Sequence, residues 1–344
     1  MMRRIFVFCL LFACCAEASA QMSREDTVSV VIIGDVMMHS AQLEHDSSLF
    51  LEEIRPWLES ADFACANMEF TLGGEPYSGY PAFSAPDKYA SDVRDCGIDV
   101  FLTANNHILD KGSRGLERTL GVYRDMGAPF TGSAGGTEEK ESNYPLILRR
   151  KGISIALVNF TYGTNAAASR PWPAVNKMEQ DDVAGAFSRA EGADFILALP
   201  HWGEEYSLTH SPSQEKWAGI LIELGADAII GSHPHVVQDT THIGGVPVIY
   251  SIGNAVSNMS AANTRLELAV KIEFIKDSLS GETRMTEPEL RFMWCTLPGR
   301  LTDGYRTIFI DEWLDRRDCW MAPSDYDNMI ATQSRVMEIT RIKQ

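Results

Sequence analysis

Residues 28–34 (VSVVIIG) run apolar and β-branched without a charged interruption, the pattern of a strand covered on both faces in a parallel sheet, and the run stops at Asp35. A helical stretch is expected over 47–59, then a short strand over 62–66 and a loop rich in Gly, Pro and Tyr over 73–85. Pro86 suits the first position of a helix that carries Tyr89, Val93 and Cys96 on one face and closes at Gly97. A strand over 99–103 and a helix over 113–126 continue the alternation; Leu116, Leu120 and Tyr123 form the helix stripe and Gly127 its stop.

Residues 145–150 and 153–160 flank Lys151-Gly152 and read as a hairpin. A loop over 161–176 leads to a helix over 181–190, a strand over 194–199, and a helix opened by Ser211-Pro212. In that helix Trp217, Ile220, Leu221 and Leu224 are expected to form the buried face before Gly225. Strands over 226–230 and 246–251 follow, and from Arg265 the pattern becomes strand, turn over 277–281, strand, with little helix before the C-terminal tail. The alternation predicts an α/β fold, a sheet sandwiched by helices. With no internal repeat or Pro/Ser linker to divide it, 28–260 reads as one domain, and 261–344 as a β-rich extension ending in a short helical tail.

Composition adds limits. With 344 residues, 45% apolar and 22% charged, the chain can bury a sizeable core and is not of disordered type. Thirty Lys+Arg against 47 Asp+Glu give −17, which disfavours nucleic acid and anionic lipid as partners. An anionic substrate is therefore expected to approach through bound cations, and polyanion affinity without metal to be weak. Residues 1–20 have a positive start (Arg3, Arg4), a short apolar run and the small-residue ending Ala18-Ser19-Ala20, the layout of a secretory signal peptide. The expected location is periplasmic or cell-surface. Leu11-Phe12-Ala13-Cys14 leaves open a lipoprotein anchored through Cys14, although Phe12 suits that pattern poorly. Beyond the signal remain Cys65, Cys96, Cys295 and Cys319, expected to be buried thiols or one or two bridges, with no Cys-x-x-Cys metal signature.

Polar residues able to bind metal gather at strand ends. Asp35 and His39 follow the first strand, Asn67 and Glu69 the second, and Asn105, Asn106, His107 and Asp110 the third; His201, Glu204 and Glu205 follow strand 194–199, and His233 and His235 follow 226–230. In α/β sheets ligands bind beyond the carboxyl ends of strands, so five loops would line one edge with oxygen and imidazole ligands. Each residue alone has a plainer reading: Asp35 as a turn or cap, Glu69 as a solvated carboxylate, Asn106 and His107 as a helix cap, Trp202 and Tyr206 as packing. Two imidazoles in His233-Pro234-His235 at the mouth of an apolar strand are harder to explain without metal. His45, His210 and His242 lie away from these pivots and read as surface residues.

The motifs Gly34-Asp35 with His39, Asn67-Met-Glu69, Ala104-Asn105-Asn106-His107 with Asp110, His201-Trp202-Gly203 with Glu205-Tyr206, Gly231-Ser-His233-Pro234-His235 and Tyr250-Ser251-Ile-Gly253-Asn254 come in the order of the bacterial capsule-synthesis CapA family, which the chain resembles over roughly 28–256. That family is associated with poly-γ-glutamate capsules and is related to the calcineurin-like metallophosphoesterases. The resemblance implies an α/β/β/α sandwich with ligands at strand C-terminal ends. It implies one metal on Asp35, His39, Glu69 and His235 and a second on Glu69, Asn106, His201 and His233, with Mn, Fe or Zn not distinguished. His107, with Asp110, falls where the superfamily keeps a catalytic His near the leaving group, and Asn67, Asn105, Glu205, Tyr206 and Asn254 stand as substrate contacts. Two departures are visible: the superfamily's Asp-x-His is stretched to Asp35-x-x-x-His39, and Glu69 replaces its bridging Asp. The expected function is metal-dependent hydrolysis of a phosphoester or amide in capsule or envelope polymer metabolism. The alternative is a non-catalytic component that binds polymer and works with membrane-bound synthase subunits.

Overall fold

The computed structural model describes residues 25–342; the expectations for the signal segment and Cys14 lie outside them. The first apolar run forms β1 (Glu25–Val36), with Val28, Val30 and Ile32 on one face and Val31 and Ile33 on the other, all buried. Separate 3-10 turns at Ser47–Leu49 and Glu52–Ile54 precede α1 (Arg55–Glu59), where one long helix was expected. Pro56 has no N–H to extend a helix arriving from upstream, so the helix restarts with the proline in its first turn. β2 (Phe63–Met68), α2 (Asp87–Asp95), β3 (Val100–Leu102), α3 (Gly112–Asp125) and β4 (Phe130–Thr131) follow. Pro86 is the N-cap of α2, one residue earlier than expected, with extended backbone.

β5 (Ser133–Ala134) and β8 (Ala174–Val175) make a small two-stranded sheet, and α4 (Thr137–Asn143) lies between them in sequence. β6 (Leu146–Arg150) and β7 (Ile153–Thr161) form the expected hairpin; Lys151 and Gly152 supply the positive φ, 50° and 74°, that a two-residue turn of this hand needs. α5 (Gln180–Arg189), β9 (Phe195–His201), α6 (Pro212–Glu223) and β10 (Ala228–Ile230) continue the alternation. Ser211 caps α6 through a reciprocal capping box with Gln214. The buried face of α6 is Gln214, Ala218 and Leu221, with Trp217, Ile220 and Leu224 only half-buried. β11 (Thr240–Ile243) was not anticipated, because Thr-Thr-His-Ile lacks an apolar run; it pairs with β12 (Val246–Ile249) across Gly244-Gly245. The chain ends with β13 (Leu266–Asp277), β14 (Thr283–Met285), β15 (Glu289–Thr296), β16 (Arg306–Phe309) and α7 (Pro323–Thr340).

Two sheets stack. The first runs β16-β15-β13-β1-β2-β3-β4 with β14 beside β13, and the second β11-β12-β10-β9-β7-β6. β1 is parallel to β2 but antiparallel to β13, so the sheet is mixed where a parallel one was expected. Inward residues such as Val30, Ile32, Leu157, Leu197, Leu268 and Val270 fill the space between sheets, where α7 adds Met329 and Val336. Leu58, Tyr89, Val93, Leu116 and Leu120 cover the outer face of the first sheet, and Val183, Phe187, Ala218 and Leu221 that of the second. Helices thus flank both sheets, giving α/β/β/α layers. The four cysteines form no disulfide: Cys65, Cys96 and Cys295 are buried thiols and Cys319 is exposed.

Candidate metal centre

A one-residue bulge aims Asp35. Along β1 and β2, Ile33 pairs with Ala66 but Asp35 with Asn67, so Gly34 is the extra residue that turns the strand end. A side chain at Gly34 would strike the carbonyl of Gly253, and the Gly34 N–H is accepted by buried Glu267. The Asp35 N–H donates to that same Gly253 carbonyl at 3.0 Å. This crossing fixes the Asp35 loop beside the loop that holds Asn254, whose Oδ1 lies 2.8 Å from His235 Nδ1.

The ends of β1, β2, β9 and β10 bring ligand atoms together. Asp35, Glu69 and His235 form one group, Glu69, His201 and His233 a second, and Glu205, His233 and His235 a third; within each, the ligand atoms lie within 4.8 Å of one another. Glu69 is shared by the first two. Both of its carboxylate oxygens and His233 Nδ1 are buried without a hydrogen-bond partner. Such orphans cost about 1–3 kcal/mol each, and a bound cation would satisfy them. Tyr206, His233 and His235 hold positive φ, 67°, 102° and 59°, a strain of order 1–3 kcal/mol each that the packed surroundings maintain.

Burial and mutual contacts set the protonation of these groups. Burial works to raise the Asp35 carboxyl, but the His235 hydrogen bond and the His201 and His235 rings outweigh it and hold it at about 2. Burial, reinforced by the Asp35 charge, pushes Glu69 well above the usual carboxylate range. Burial and neighbouring imidazoles lower His201 well below its ordinary value and His233 to about 3. Burial also opposes charge on His235, yet its contact with Asp35 raises it. Neutral imidazoles keep a lone pair for metal, and N/O donors of this mix suit a divalent transition ion.

Other expected site residues take different places. His39 lines the cleft but joins none of the three groups; its Nδ1 lies 3.1 Å from Gln42 Oε1 and 3.2 Å from the Asn258 amide, and burial lowers it to about 4. The extra residues between Asp35 and His39 carry it past the convergent set. Asn106 Oδ1 lies 2.9 Å from His201 Nε2 and so stands beside the second group. Glu205, expected to touch substrate, falls within a ligand group. Asn67, Asn105 and Asn254, expected to touch substrate, are buried and hydrogen-bonded within the protein. Asn67 Nδ2 donates to Asp35 Oδ1 at 2.7 Å, Asn105 Nδ2 donates to Asn67 Oδ1 at 3.1 Å, and Asn254 Nδ2 donates to the Thr264 carbonyl at 3.0 Å. His107 lines the cleft with its Nδ1 2.7 Å from Asp110 Oδ2, and Asp110 also accepts the Phe83 amide at 2.8 Å. Asp110 is therefore held between the His107 ring and the Phe83 amide.

Tyrosines surround the opening. Tyr206 is half-exposed with its ring 6.3 Å from His235, Tyr80 is exposed with its ring 6.4 Å from His107, and Tyr162 lies 4.6 Å from His233. Tyr80, Tyr162 and Asn165, whose Nδ2 lies 3.3 Å from His107 Nε2, went unnoticed in the sequence. Tyr162 directly follows β7, so the strand-end rule that found the other residues would have found it.

Fold and site together define a four-layer α/β protein whose strand ends present a buried carboxylate and imidazole set compatible with divalent metal. Residues 29–259 match the family described as bacterial capsule synthesis protein PGA_cap, and the chain belongs to that family. It is 26% identical over 267 residues to the capsule biosynthesis protein CapA of Bacillus anthracis, covering 73% of this chain and 64% of that protein's length. It is 25% identical over 294 residues to the PGA biosynthesis protein CapA of Bacillus subtilis strain 168, covering 79% and 75%. A solved phosphatase from Mycoplasma pneumoniae superposes with a TM-score of 0.47 at 11% identity, over 79% of this chain and 95% of that one.

Proposed function

We propose that the chain is an exported, dinuclear metal-dependent hydrolase acting on phosphoester or amide bonds of capsule or envelope polymer. The observation that carries this reading is Glu69, a buried carboxylate with no hydrogen-bond partner, shared between two groups of ligand atoms. Asp35, Glu69 and His235 would hold one ion and Glu69, His201 and His233 another. Bound there, divalent ions lower the pKa of water and stabilise the oxyanion that forms at a phosphoryl or carbonyl centre. The remaining steps belong to the chain. Asn67 and Asn254 hold Asp35 and His235 in place, the crossing at Gly34 and Gly253 sets the Asp35 loop, and the tyrosines narrow access to the cleft. His107, oriented by Asp110, delivers a proton to the leaving group. Export rests on the signal-like layout of residues 1–20, and a polymer-related role on the family.

A second reading, a non-catalytic binding or assembly component beside membrane-bound synthase subunits, is favoured by the placement of His39 outside the ligand groups. Metal analysis and a panel of phosphodiesters and γ-glutamyl amides separate the two. The hydrolase reading expects bound metal and turnover, with His235→Ala losing both; turnover that persists in His235→Ala, or protein that takes up no metal, refutes it.

A further inference from the structure

Beside the cleft lies a second hollow of about 430 Å³ with the opposite charge. Arg265, Arg300, Arg335, Asn263 and Asn328 line it, and its one acidic wall residue is Asp325. Asp325 is already neutralised: Arg265 grips it with both terminal nitrogens at 2.6 Å, spends its Nε on the Cys295 carbonyl at 2.8 Å, and stacks over Trp294 at 4.4 Å. Arg335 is exposed and, among the described residues, is steered by neutral partners only, Asn263 Oδ1 at 2.6 Å and Thr332 Oγ1 at 3.1 Å, with no ion pair to offset its charge. Arg300 is exposed too and, among the described residues, forms no ion pair. Two such guanidinium groups facing one hollow are unexpected in a chain of net charge −17. The hollow lined by Arg124 and Arg170, by contrast, also carries Glu117, Glu138 and Glu139.

The hollow adjoins the candidate metal centre. Ser260 and Ala261 line both it and the cleft that holds His39, His107, Glu205 and His235, so only the exposed segment 260–262 separates them. That cleft offers no Lys or Arg of its own, and Glu205 adds negative charge. An anionic chain reaching the metal ligands would therefore meet its cationic contacts next door. Guanidinium groups match carboxylates with a planar, two-pronged geometry that a diffuse positive potential lacks.

We propose that this arginine groove is a subsite for carboxylates of an extended anionic chain whose adjoining part occupies the metal cleft. The proposal rests on the reading of the protein as acting on envelope polymer. It departs from the expectation that an anionic substrate approaches chiefly through bound metal.

The test is calorimetric binding of a synthetic γ-linked glutamate decamer to the metal-loaded protein, with inorganic polyphosphate of similar length as a second probe. Arg300→Ala/Arg335→Ala is expected to weaken decamer binding at least about tenfold and to flatten its salt dependence, with metal content and melting temperature unchanged. Arg300→Lys/Arg335→Lys is expected to recover only part of the loss, because the charge returns without the fork. Unchanged decamer affinity in the double alanine variant overturns the proposal, as does polyphosphate binding that is equally tight and equally arginine-dependent. A protein that hydrolyses small esters but binds the decamer without these arginines overturns the subsite alone. One that binds through them yet turns over nothing supports the subsite and refutes only the hydrolase reading.

Discussion

Glu69 holds its carboxyl in the core with neither oxygen hydrogen-bonded, an arrangement that disfavours the metal-free protein. Replacing it with an apolar side chain of similar length should relieve that cost. Glu69→Met is expected to stabilise the metal-free protein by about 1–3 kcal/mol in urea unfolding. The same variant should lose the metal-dependent gain, which for wild type reaches about 2.7 kcal/mol when free metal stands at a hundred times its Kd. An equal metal-dependent gain in Glu69→Met would remove Glu69 from the centre. The sequence disclosed this residue by its place after a strand, since Asn67-Met-Glu69 follows an apolar run. What it could not disclose was direction: Asn67, Asn105 and Asn254 occupy the same kind of position, yet their amides turn inward to hold Asp35 and His235. Nor could spacing alone show that three residues between Asp35 and His39 carry that imidazole away from the other ligands.

At the scale of elements, side-chain clamps join the sheets at the end away from the site. Asp194 precedes β9, accepts the amide and hydroxyl of Ser154 on β7 at 2.8 and 2.7 Å, and pairs with Lys276 on β13 at 2.7 Å. Burial works to raise its pKa, but Lys276 and Ser154 outweigh that and lower it below the ordinary carboxylate value. The unfolded chain therefore binds this proton more readily than the folded one. The clamp's contribution is full above the unfolded value near 3.9 and is lost as pH falls through the lower folded value. Asp194→Ala is expected to cost about 1–3 kcal/mol at neutral pH, and the gap from wild type should close below about pH 4 in acid unfolding curves. A gap that stays constant down to strongly acidic pH would show that the carboxylate charge is not the source. Elements with a strong local signal were legible: Lys151-Gly152 gave the hairpin and Ser211-Pro212 the start of α6. Those that depend on partners were not. β11 has no apolar run and is a strand because β12 lies beside it, and the turns over 47–54 yield to Pro56.

At the scale of the whole molecule, the family match ends at residue 259, yet the fold does not. β13 pairs with β1 from Glu25↔Asp277 to Ile32↔Val270, so the strand that delivers Asp35 has the C-terminal segment as its neighbour on one side. Leu266, Leu268, Val270, Ile272 and Phe274 of β13 all enter the core between the sheets. At about 1.5–3 kcal/mol for each buried side chain, removing these five would cost roughly 8–15 kcal/mol, comparable with the entire net stability of a typical domain, about 5–15 kcal/mol. Phe292, Trp294, Ile308, Met329 and Val336 enter the same core from later elements, and Glu267 of β13 receives the Gly34 amide beneath the Asp35 loop. The segment after 260 thus supports the site although none of its residues belongs to the three ligand groups. A chain ending at residue 261 is expected to lose cooperative thermal unfolding and metal binding together, as read by circular dichroism and metal analysis. If the shortened chain instead melts cooperatively and takes up metal like the full one, β13 is dispensable and the sandwich does not depend on the pairing with β1.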